Sequence, residues 1–335
     1  MKRILFFIVM LVIVLAGCVN DQETSGDNSN AQEEEELEKV TLVLDWTPNT
    51  NHTGLYVAQA EEYFKQEGLK VDITLPGESG ADQVVASGQA EFGISAQESI
   101  TEARIQDIPI VSIAAIIQHN TSGFASPVDK GITSPADYAG KTYGGWGAPV
   151  EAAVIDSLMK QESADVNDVN IINMGNTDFF TAVERDVDFA WIYYGWTGVE
   201  AELRDVELNV QYLTDYSDDL DYYTPVITTN ESMIDENPDT VEAFMAAVSK
   251  GYQYTIESPE EAASILVESV PDLDAELVEA SQAWLSPQYQ DDAEQWGIQD
   301  QQTWENYSKW MYENELLEKE LDAAQAFTNE FLPEK

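Results

Sequence analysis

Cysteine, histidine and basic residues are all scarce, and each scarcity removes a class of function. One Cys cannot close an internal disulfide, and the two His, His52 and His119, stand far apart without a Cys cluster, so no zinc-type ligand spacing exists. Against 63 Asp and Glu there are only 15 Lys and Arg, giving a formal charge of −48. Such a surface repels phosphate backbones, which argues against a nucleic-acid partner. No G-x-x-x-x-G-K phosphate loop and no paired nucleophile and base are present. What remains is ample for a core: 44% hydrophobic and 10% aromatic residues in a 335-residue chain, a length that suggests two lobes.

The first seventeen residues read as a targeting segment, 1–17. Lys2 and Arg3 precede a twelve-residue apolar run from Ile4 to Leu15, short for a membrane span. The run ends in Leu15-Ala16-Gly17-Cys18, which resembles a bacterial lipobox, and the lone Cys of the chain sits at its cleavage position. The resemblance implies lipidation of Cys18 and a lipid-anchored protein on the extracytoplasmic face of the cell membrane; an ordinary secretory signal is the alternative. Residues 18–38 are almost wholly polar, include the run Glu33-Glu34-Glu35-Glu36, and read as an acidic, self-repelling linker.

Beyond the linker the pattern alternates strand, loop and helix, the habit of an α/β fold with a largely parallel core. Strands are expected at Val40–Leu44, Val71–Leu75 and Ala90–Ile94, with helices at Gly54–Gln66 and from Gln97 to about Gln106. Ser95-Ala96-Gln97-Glu98 spells a capping box. About one hundred residues later the same grammar returns. Lys141–Trp146 and the helix through Lys160 echo Val40–Trp46 and its helix; Asp188–Trp191 and the Thr197–Arg204 helix echo Glu91–Ile94 and Gln97–Arg104. Either this is the general redundancy of α/β chains or it marks two similar lobes whose strand ends face one another across a cleft. Trp46, and Trp146 and Trp196 beside glycines, favour the cleft, because flat faces next to flexible backbone suit a flat polar heterocycle.

The segments Val43–Tyr56, Phe92–Ser95, Tyr143–Gly147 and Tyr194–Glu200 resemble the substrate-binding proteins of thiamine-pyrimidine ABC importers, and the resemblance runs from about Val40 to Pro333. It implies a two-lobed periplasmic-type (type II) solute-binding protein with a hinge, lobe 1 formed by 39–124 and 225–335 and lobe 2 by 125–224, with crossings near Phe124 and Thr224. It also implies an aminopyrimidine ligand such as N-formyl-4-amino-5-aminomethyl-2-methylpyrimidine and permease and ATPase subunits as partners; the large negative charge, which disfavours self-association, leads us to expect a monomer, and no cofactor or metal is expected from the residues. Thiamine-pyrimidine synthases share the scaffold but use iron and a cysteine-rich segment, and no Cys lies outside Cys18, so an enzyme is not expected. A sulfonate or a flavin is the alternative ligand.

The expected ligand-binding residues each carry a competing structural role. Trp46, Trp146, Tyr193, Tyr194 and Trp196 offer stacking faces. Glu200, which the resemblance places at the ligand's amine edge, stands in a helix where a solvated acid is common. Glu151 falls in the first turn of a helix, where the dipole alone favours an acid. Ser95 and Gln97 sit at a helix start, where Ser95 also suits capping. Asn49 and His52 lie in a turn-rich loop they can shape, and His119 in the crossover between lobes. Trp304, Tyr307 and Met311 lie at helical spacing and read as core packed on lobe 1.

So large an acidic excess is expected to be tolerated best where salt screens it, since the Debye length falls to roughly 3 Å at about 1 M. Thermal unfolding of the chain after the linker should therefore shift upward between about 0.1 M and 2 M NaCl. An unfolding midpoint indifferent to salt would remove the link between this composition and a saline habitat.

Overall fold

Val40, Leu42 and Val43 are buried on β1 (Glu38–Val43), while Glu38 and Lys39 are exposed at its start. In the computed structural model, which describes residues 37–334 apart from Asn176, this strand organises the first of two sheets. The targeting segment, Cys18 and nearly all of the linker lie outside the described residues. Glu38, assigned to the linker by its charge, begins β1, and its carboxylate accepts a bond from Thr240 Oγ1 at 3.0 Å.

Both sheets are mixed rather than largely parallel. The first is built from β1, β2 (Leu69–Thr74), β3 (Phe92–Ser95), β4 (Ile110–Ala115) and the returning strand β10 (Val226–Asn230), in the order β2-β1-β3-β10-β4. The second comprises β5 (Ser122–Pro127), β6 (Thr142–Gly145), β7 (Asn170–Asn173), β8 (Phe189–Tyr193) and β9 (Leu208–Tyr212), in the order β7-β6-β8-β5-β9. Each has a parallel trio and one antiparallel insertion, β10 in the first and β5 in the second. The two orders superpose strand for strand: β1 on β6, β2 on β7 and β3 on β8. These are the repeats visible in sequence, and the inserted strands are those that arrive from the other lobe.

Short helices follow the strands of lobe 1: α1 (Thr53–Ala60), α2 (Tyr63–Gln66), α3 (Gly80–Ala86) and α4 (Gln97–Ile105). The single helix expected over Gly54–Gln66 breaks between α1 and α2, where Glu62 takes a left-handed φ of 58°. Lobe 2 carries α5 (Pro149–Gln161), α6 (Phe179–Val183) and, after a π-turn at Tyr194–Gly198, α7 (Val199–Leu203). The chain then returns to lobe 1 through α8 (Glu231–Glu236), α9 (Pro238–Glu257), α10 (Pro259–Ser269) and α11 (Ala275–Leu285), and ends on α12 (Gln301–Glu313).

The first crossing spans 116–121, ahead of the expected Phe124, because Phe124 lies inside β5 at the centre of lobe 2's aromatic core, edge-on to Tyr138, Tyr143 and Phe189. The second spans 213–225. His119 ties them together: its Nδ1 lies 2.6 Å from Asp221 and its Nε2 3.2 Å from Asp292, while Asn120 N donates to Asp221 at 2.8 Å. The bond to Asp221, reinforced by Asp292, raises the imidazole pKa to about 9.

Helix α12 departs from its expected place. Trp304 packs in a lobe 1 cluster with Val43, Ile100 and Val226, whereas Tyr307, Trp310 and Met311 pack in lobe 2 with Tyr143, Val154 and Leu158. One apolar stripe thus serves two lobes, and Trp310 Nε1 donates to Ser157 on α5 at 3.3 Å. A further bridge is the π-turn of lobe 2, whose Trp196 packs against Tyr56, Leu266 and Val278 of lobe 1.

The loop after β1 is held from behind by aromatic hydroxyls. Tyr252 on α9 donates to Asn51 O at 2.7 Å, and Tyr289 donates to Thr50 O at 2.5 Å. Tyr252 can reach because α1 and α9 meet at glycines: a Cβ on Gly251 would lie 2.0 Å from Gly54 O, and one on Gly54 would lie 2.4 Å from the Tyr252 ring. Gly251→Ala should lower the unfolding free energy by about 2 to 3 kcal/mol in urea titrations, since backbone must move to admit the methyl. Gly77→Ala, where a Cβ meets nothing within 4 Å, serves as the control and should stay within about 0.5 kcal/mol.

Candidate functional site

The carboxyl ends of the parallel strands gather the side chains that chemistry can use. β1 leads into Asp45 and Trp46, β3 ends at Ser95, β6 leads into Trp146 and β8 ends at Tyr193. Three of these are large rings left open to solvent: Trp46 is 54% exposed, Trp146 46% and Tyr193 42%. Rings at strand ends with that much free face offer surfaces on which a flat ring could stack.

Acids from both lobes converge beside them. Asp45 and Glu98 of lobe 1 both act electrostatically on the Tyr193 hydroxyl, whose pKa burial raises to about 12, with Thr224 of the second crossing as its hydrogen-bond neighbour. Asp45 likewise acts on Asp82 in α3, and Glu151 of lobe 2 acts on Glu98. Burial, and then the neighbouring Glu102 and Glu151, push the Glu98 carboxyl up to about 7 against the pull of its bond from Tyr307. Burial raises Asp82 also. Among the described residues no Lys or Arg is ion-paired to Asp45, Asp82, Glu98 or Glu151.

Several expected ligand contacts prove to be supports. His52 is fully buried; Asn49 N donates to its Nδ1 at 3.2 Å, which assigns the proton to Nε2 and the 2.8 Å bond from Nε2 to Asp45. His52 therefore aims Asp45. Asn49 caps the turn over Thr50–His52, accepting from Asn51 N at 2.9 Å. Gln97 is fully buried with both ends engaged, accepting from Tyr223 N at 2.9 Å and donating to Thr303 O at 3.2 Å, so it braces the second crossing against α12.

Glu151 is the strongest such case. Its two oxygens accept from Trp146 N at 3.0 Å, Gly147 N at 2.7 Å, Ala148 N at 2.6 Å and the Tyr143 hydroxyl at 2.8 Å. Gly145 gives that carboxylate room, since a Cβ there would sit 1.7 Å from Glu151 Oε2, while a Cβ on Gly144 would meet Val187 at 2.7 Å and one on Gly147 would meet Asn173 at 2.3 Å. The loop so fixed presents Trp146. In the second glycine-bearing corner a Cβ on Gly198 would strike the Tyr194 ring at 2.4 Å, and one on Gly195 would come 3.1 Å from Trp284.

Glu200, Tyr194 and Trp196 are drawn into other contacts. The Glu200 carboxylate is ion-paired with Arg204 one helical turn on, and that guanidinium lies 4.2 Å above the Phe180 ring. Tyr194 donates to Glu202 at 2.5 Å and packs between Tyr212 and Trp284, and Trp196 is spent on the interlobe packing described above. The capping box at Ser95 does not form either. Ala96 is the N-cap of α4, Glu98 instead meets the Tyr307 hydroxyl at 3.3 Å, and the buried Ser95 hydroxyl faces Asp82, whose pKa it draws down against burial.

Residues that sequence reasoning missed complete the site. Asp45 and Asp82 carried no local signal, since an acid is unremarkable in this chain. Trp191 lies 5.5 Å from Trp146 and leaves its buried Nε1 without a partner. Tyr222 and Tyr307, stacked at 4.0 Å, lie close to both Glu98 and Tyr193. Among the described residues no group of three His, Cys, Asp or Glu is placed to hold a metal. Two surface hollows elsewhere, of about 590 Å³ around Tyr63 and Lys250 and about 740 Å³ around Tyr194 and Tyr212, contain none of the converging acids.

Comparison with known proteins now has a site to be read against. The family model described as NMT1/THI5 like matches residues 49–262. The chain belongs to the NMT1/THI5-like family. It is similar to a formylaminopyrimidine-binding protein of Halalkalibacterium halodurans, 28% identical with 96% of this chain and 97% of the relative covered. A 4-amino-5-hydroxymethyl-2-methylpyrimidine phosphate synthase of Legionella pneumophila is 26% identical over 88% of this chain and 93% of its own. A riboflavin-binding protein of Chloroflexus aurantiacus is 27% identical over 99% and 98%. Among solved structures, the periplasmic aliphatic sulphonate binding protein of Escherichia coli aligns with a TM-score of 0.68 at 14% identity, covering 89% of this chain and 94% of the other. The fold of this NMT1/THI5-like chain is the two-lobed fold of periplasmic-type solute-binding proteins.

A carboxyl whose pKa in the fold exceeds its unfolded value near 4.5 stabilises the fold while protonated and costs stability once ionised, so the protein should lose stability as pH rises from about 4.5 to about 7. Glu98→Gln keeps an acceptor for Tyr307 and removes that loss. At pH about 8 the variant should be more stable than the parent by about 1 to 2 kcal/mol, allowing for the water that reaches the carboxylate, and at pH about 5 the two should coincide. Equal melting curves at both pH values would mean that Glu98 ionises freely.

Proposed function

We propose that this NMT1/THI5-like chain is the extracytoplasmic substrate-binding protein of an ABC importer and that its ligand is an aminopyrimidine of the thiamine-precursor type, N-formyl-4-amino-5-aminomethyl-2-methylpyrimidine or a close relative. The observation that carries the reading is the pairing, at facing strand ends, of half-open Trp46, Trp146 and Tyr193 with carboxylates that have no Lys or Arg partner. A flat ring with amine donors on its edge satisfies both halves of that site: faces by stacking, at about 0.5 to 1.5 kcal/mol per aromatic pair, and donors by charge-assisted hydrogen bonds. The near full-length likeness to a formylaminopyrimidine-binding protein supports it.

The rival ligands fit the cleft less well. A sulfonate would bring negative charge to acids that have no Lys or Arg partner, and a flavin would set the two acceptor carbonyls that flank its one ring N–H against carboxylates. The chain is a binding protein rather than an enzyme. Its sole Cys, Cys18, stands in the lipobox-like segment, so it has no cysteine-rich loop of the kind that the synthases of this scaffold use. In this reading lipid on Cys18 holds the protein, a monomer, at the outer face of the membrane. Contacts from both lobes favour a closed form that the permease and ATPase complex recognises.

Calorimetric titration of residues 37–335 with the formylated pyrimidine, its hydroxymethyl relative, thiamine, riboflavin and an alkanesulfonate tests the proposal. A pyrimidine should bind at about micromolar Kd or tighter, and Trp146→Ala should weaken it by about 1 kcal/mol or more. Riboflavin or sulfonate binding with silence from every pyrimidine would transfer the function to that ligand.

A further inference from the structure

Where the lobes touch, one buried hydroxyl is bonded to both. Ser281 on α11 is fully buried. Its Oγ donates to Gly195 O, in the π-turn that follows Tyr193, and lies 2.6 Å from Thr50 Oγ1, in the turn that follows Asp45 and Trp46. The partners fix the direction of the protons. A carbonyl only accepts, so the one proton of Ser281 goes to Gly195 O, and Thr50 donates to Ser281. The bonds therefore run from Thr50 through Ser281 to Gly195, joining the lobe 1 loop that carries Trp46 to the lobe 2 turn that Tyr193 leads into.

Packing prepares both ends of this chain. Thr50 O accepts from Tyr289 and, at 3.0 Å, from Thr53 Oγ1, which holds the Thr50 backbone and leaves its hydroxyl for Ser281. Gly195 brings bare backbone up to α11, since a Cβ there would come 3.1 Å from both Trp284 and Leu285. On either side of it Tyr194 lies against Trp284, and Trp196 against Tyr56, Leu266 and Val278, so the bonds are shielded from water.

We propose, resting on the ligand-binding reading above, that Ser281 is a positioning residue of the cleft: it latches the Trp46 loop to the turn after Tyr193 and so holds the two lobes in one register around the ligand. Fully buried and bonded to both loops, it acts through them rather than on the ligand. Breaking the latch raises the free energy of the closed form relative to the open one. The ligand then leaves faster, while the contacts that distinguish one pyrimidine from another are unchanged. The loss is accordingly the same factor for every ligand the lobes enclose.

The test uses residues 37–335, which contain no Cys, spin-labelled through Leu75→Cys in lobe 1 and Ile171→Cys in lobe 2, both at exposed positions. Without ligand, Ser281→Ala should broaden the interlobe distance distribution and extend it to longer values. Ser286→Ala is the control, because it removes a comparably buried hydroxyl bonded only within lobe 1, to Thr255 O and Gln282, and should leave the distribution unchanged. Stopped-flow dissociation of the formylated and hydroxymethyl pyrimidines should quicken by about tenfold in Ser281→Ala, equally for both, with association changed by less than about threefold. Thr50→Val, which breaks the same chain at its other end, should share the effect, and Thr50→Ser, which keeps the hydroxyl, should not. Interlobe distances in Ser281→Ala and Thr50→Val matching those of Ser286→Ala would overturn the latch, as would dissociation no faster than in that control. Silence from every pyrimidine would overturn the aminopyrimidine reading alone, and the distances would still decide the role of Ser281.

Discussion

The chain passes between its two sheets twice, and each passage delivers one antiparallel strand into a sheet whose other neighbours run parallel. β5 enters lobe 2 and β10 re-enters lobe 1, each lying fourth in its five-strand order. Everything functional follows from this constraint. Because the two sheets have the same order, their strand ends present equivalent corners, and because two segments join them, those corners face one another across a hinge. The hinge is reinforced by more than covalent connection. His119 lies between Asp221 and Asp292, Gln97 braces the second crossing against α12, and α12 itself anchors one end of its aromatic stripe in each lobe.

Within the cleft, apparently similar residues divide into those that support and those left open. Glu151 is saturated by four donors and shapes the loop that carries Trp146; Asp82 and Glu98 are pushed toward protonation by burial and then by neighbouring acids, Asp45 for the first and Glu102 and Glu151 for the second. The difference is one of donors rather than of residue type. A carboxylate at the start of α5 finds three backbone N–H groups in the loop just before the helix, whereas Asp82 and Glu98 face other acids. A protein with so few bases has little with which to neutralise these acids, and in the proposed function a donor-rich ligand would supply what the chain lacks.

Much of this was legible in the sequence, and the failures have specific causes. The β1/β6 and β3/β8 echoes were readable because strand, turn and helix signals are local, and Trp46, Trp146 and Tyr193 stood out because strand-end aromatics are few. Glu200 was singled out by the resemblance, and the structure pairs its carboxylate with Arg204, four residues on in the same helix. Ser95-Ala96-Gln97-Glu98 misled because a capping box is spelled by spacing alone, whereas Tyr307 on α12, some two hundred residues away in sequence, decided where Glu98 would turn. The glycines of 144–147 were readable as close approaches, but what approaches is the protein's own side chains: Val187 at Gly144, Glu151 at Gly145 and Asn173 at Gly147.

The sequence by itself determined the α/β class, the twofold repetition and the charge of −48, because periodicity, turn chemistry and composition are properties of neighbouring residues or of sums over the chain. Tertiary structure alone decided which lobe each face of α12 would serve, that Asp45, Asp82, Glu98 and Glu151 would meet, and which of them would find donors. Those outcomes depend on groups distant in sequence being desolvated together, and burial acts on a carboxylate according to what surrounds it in space, which no local pattern records.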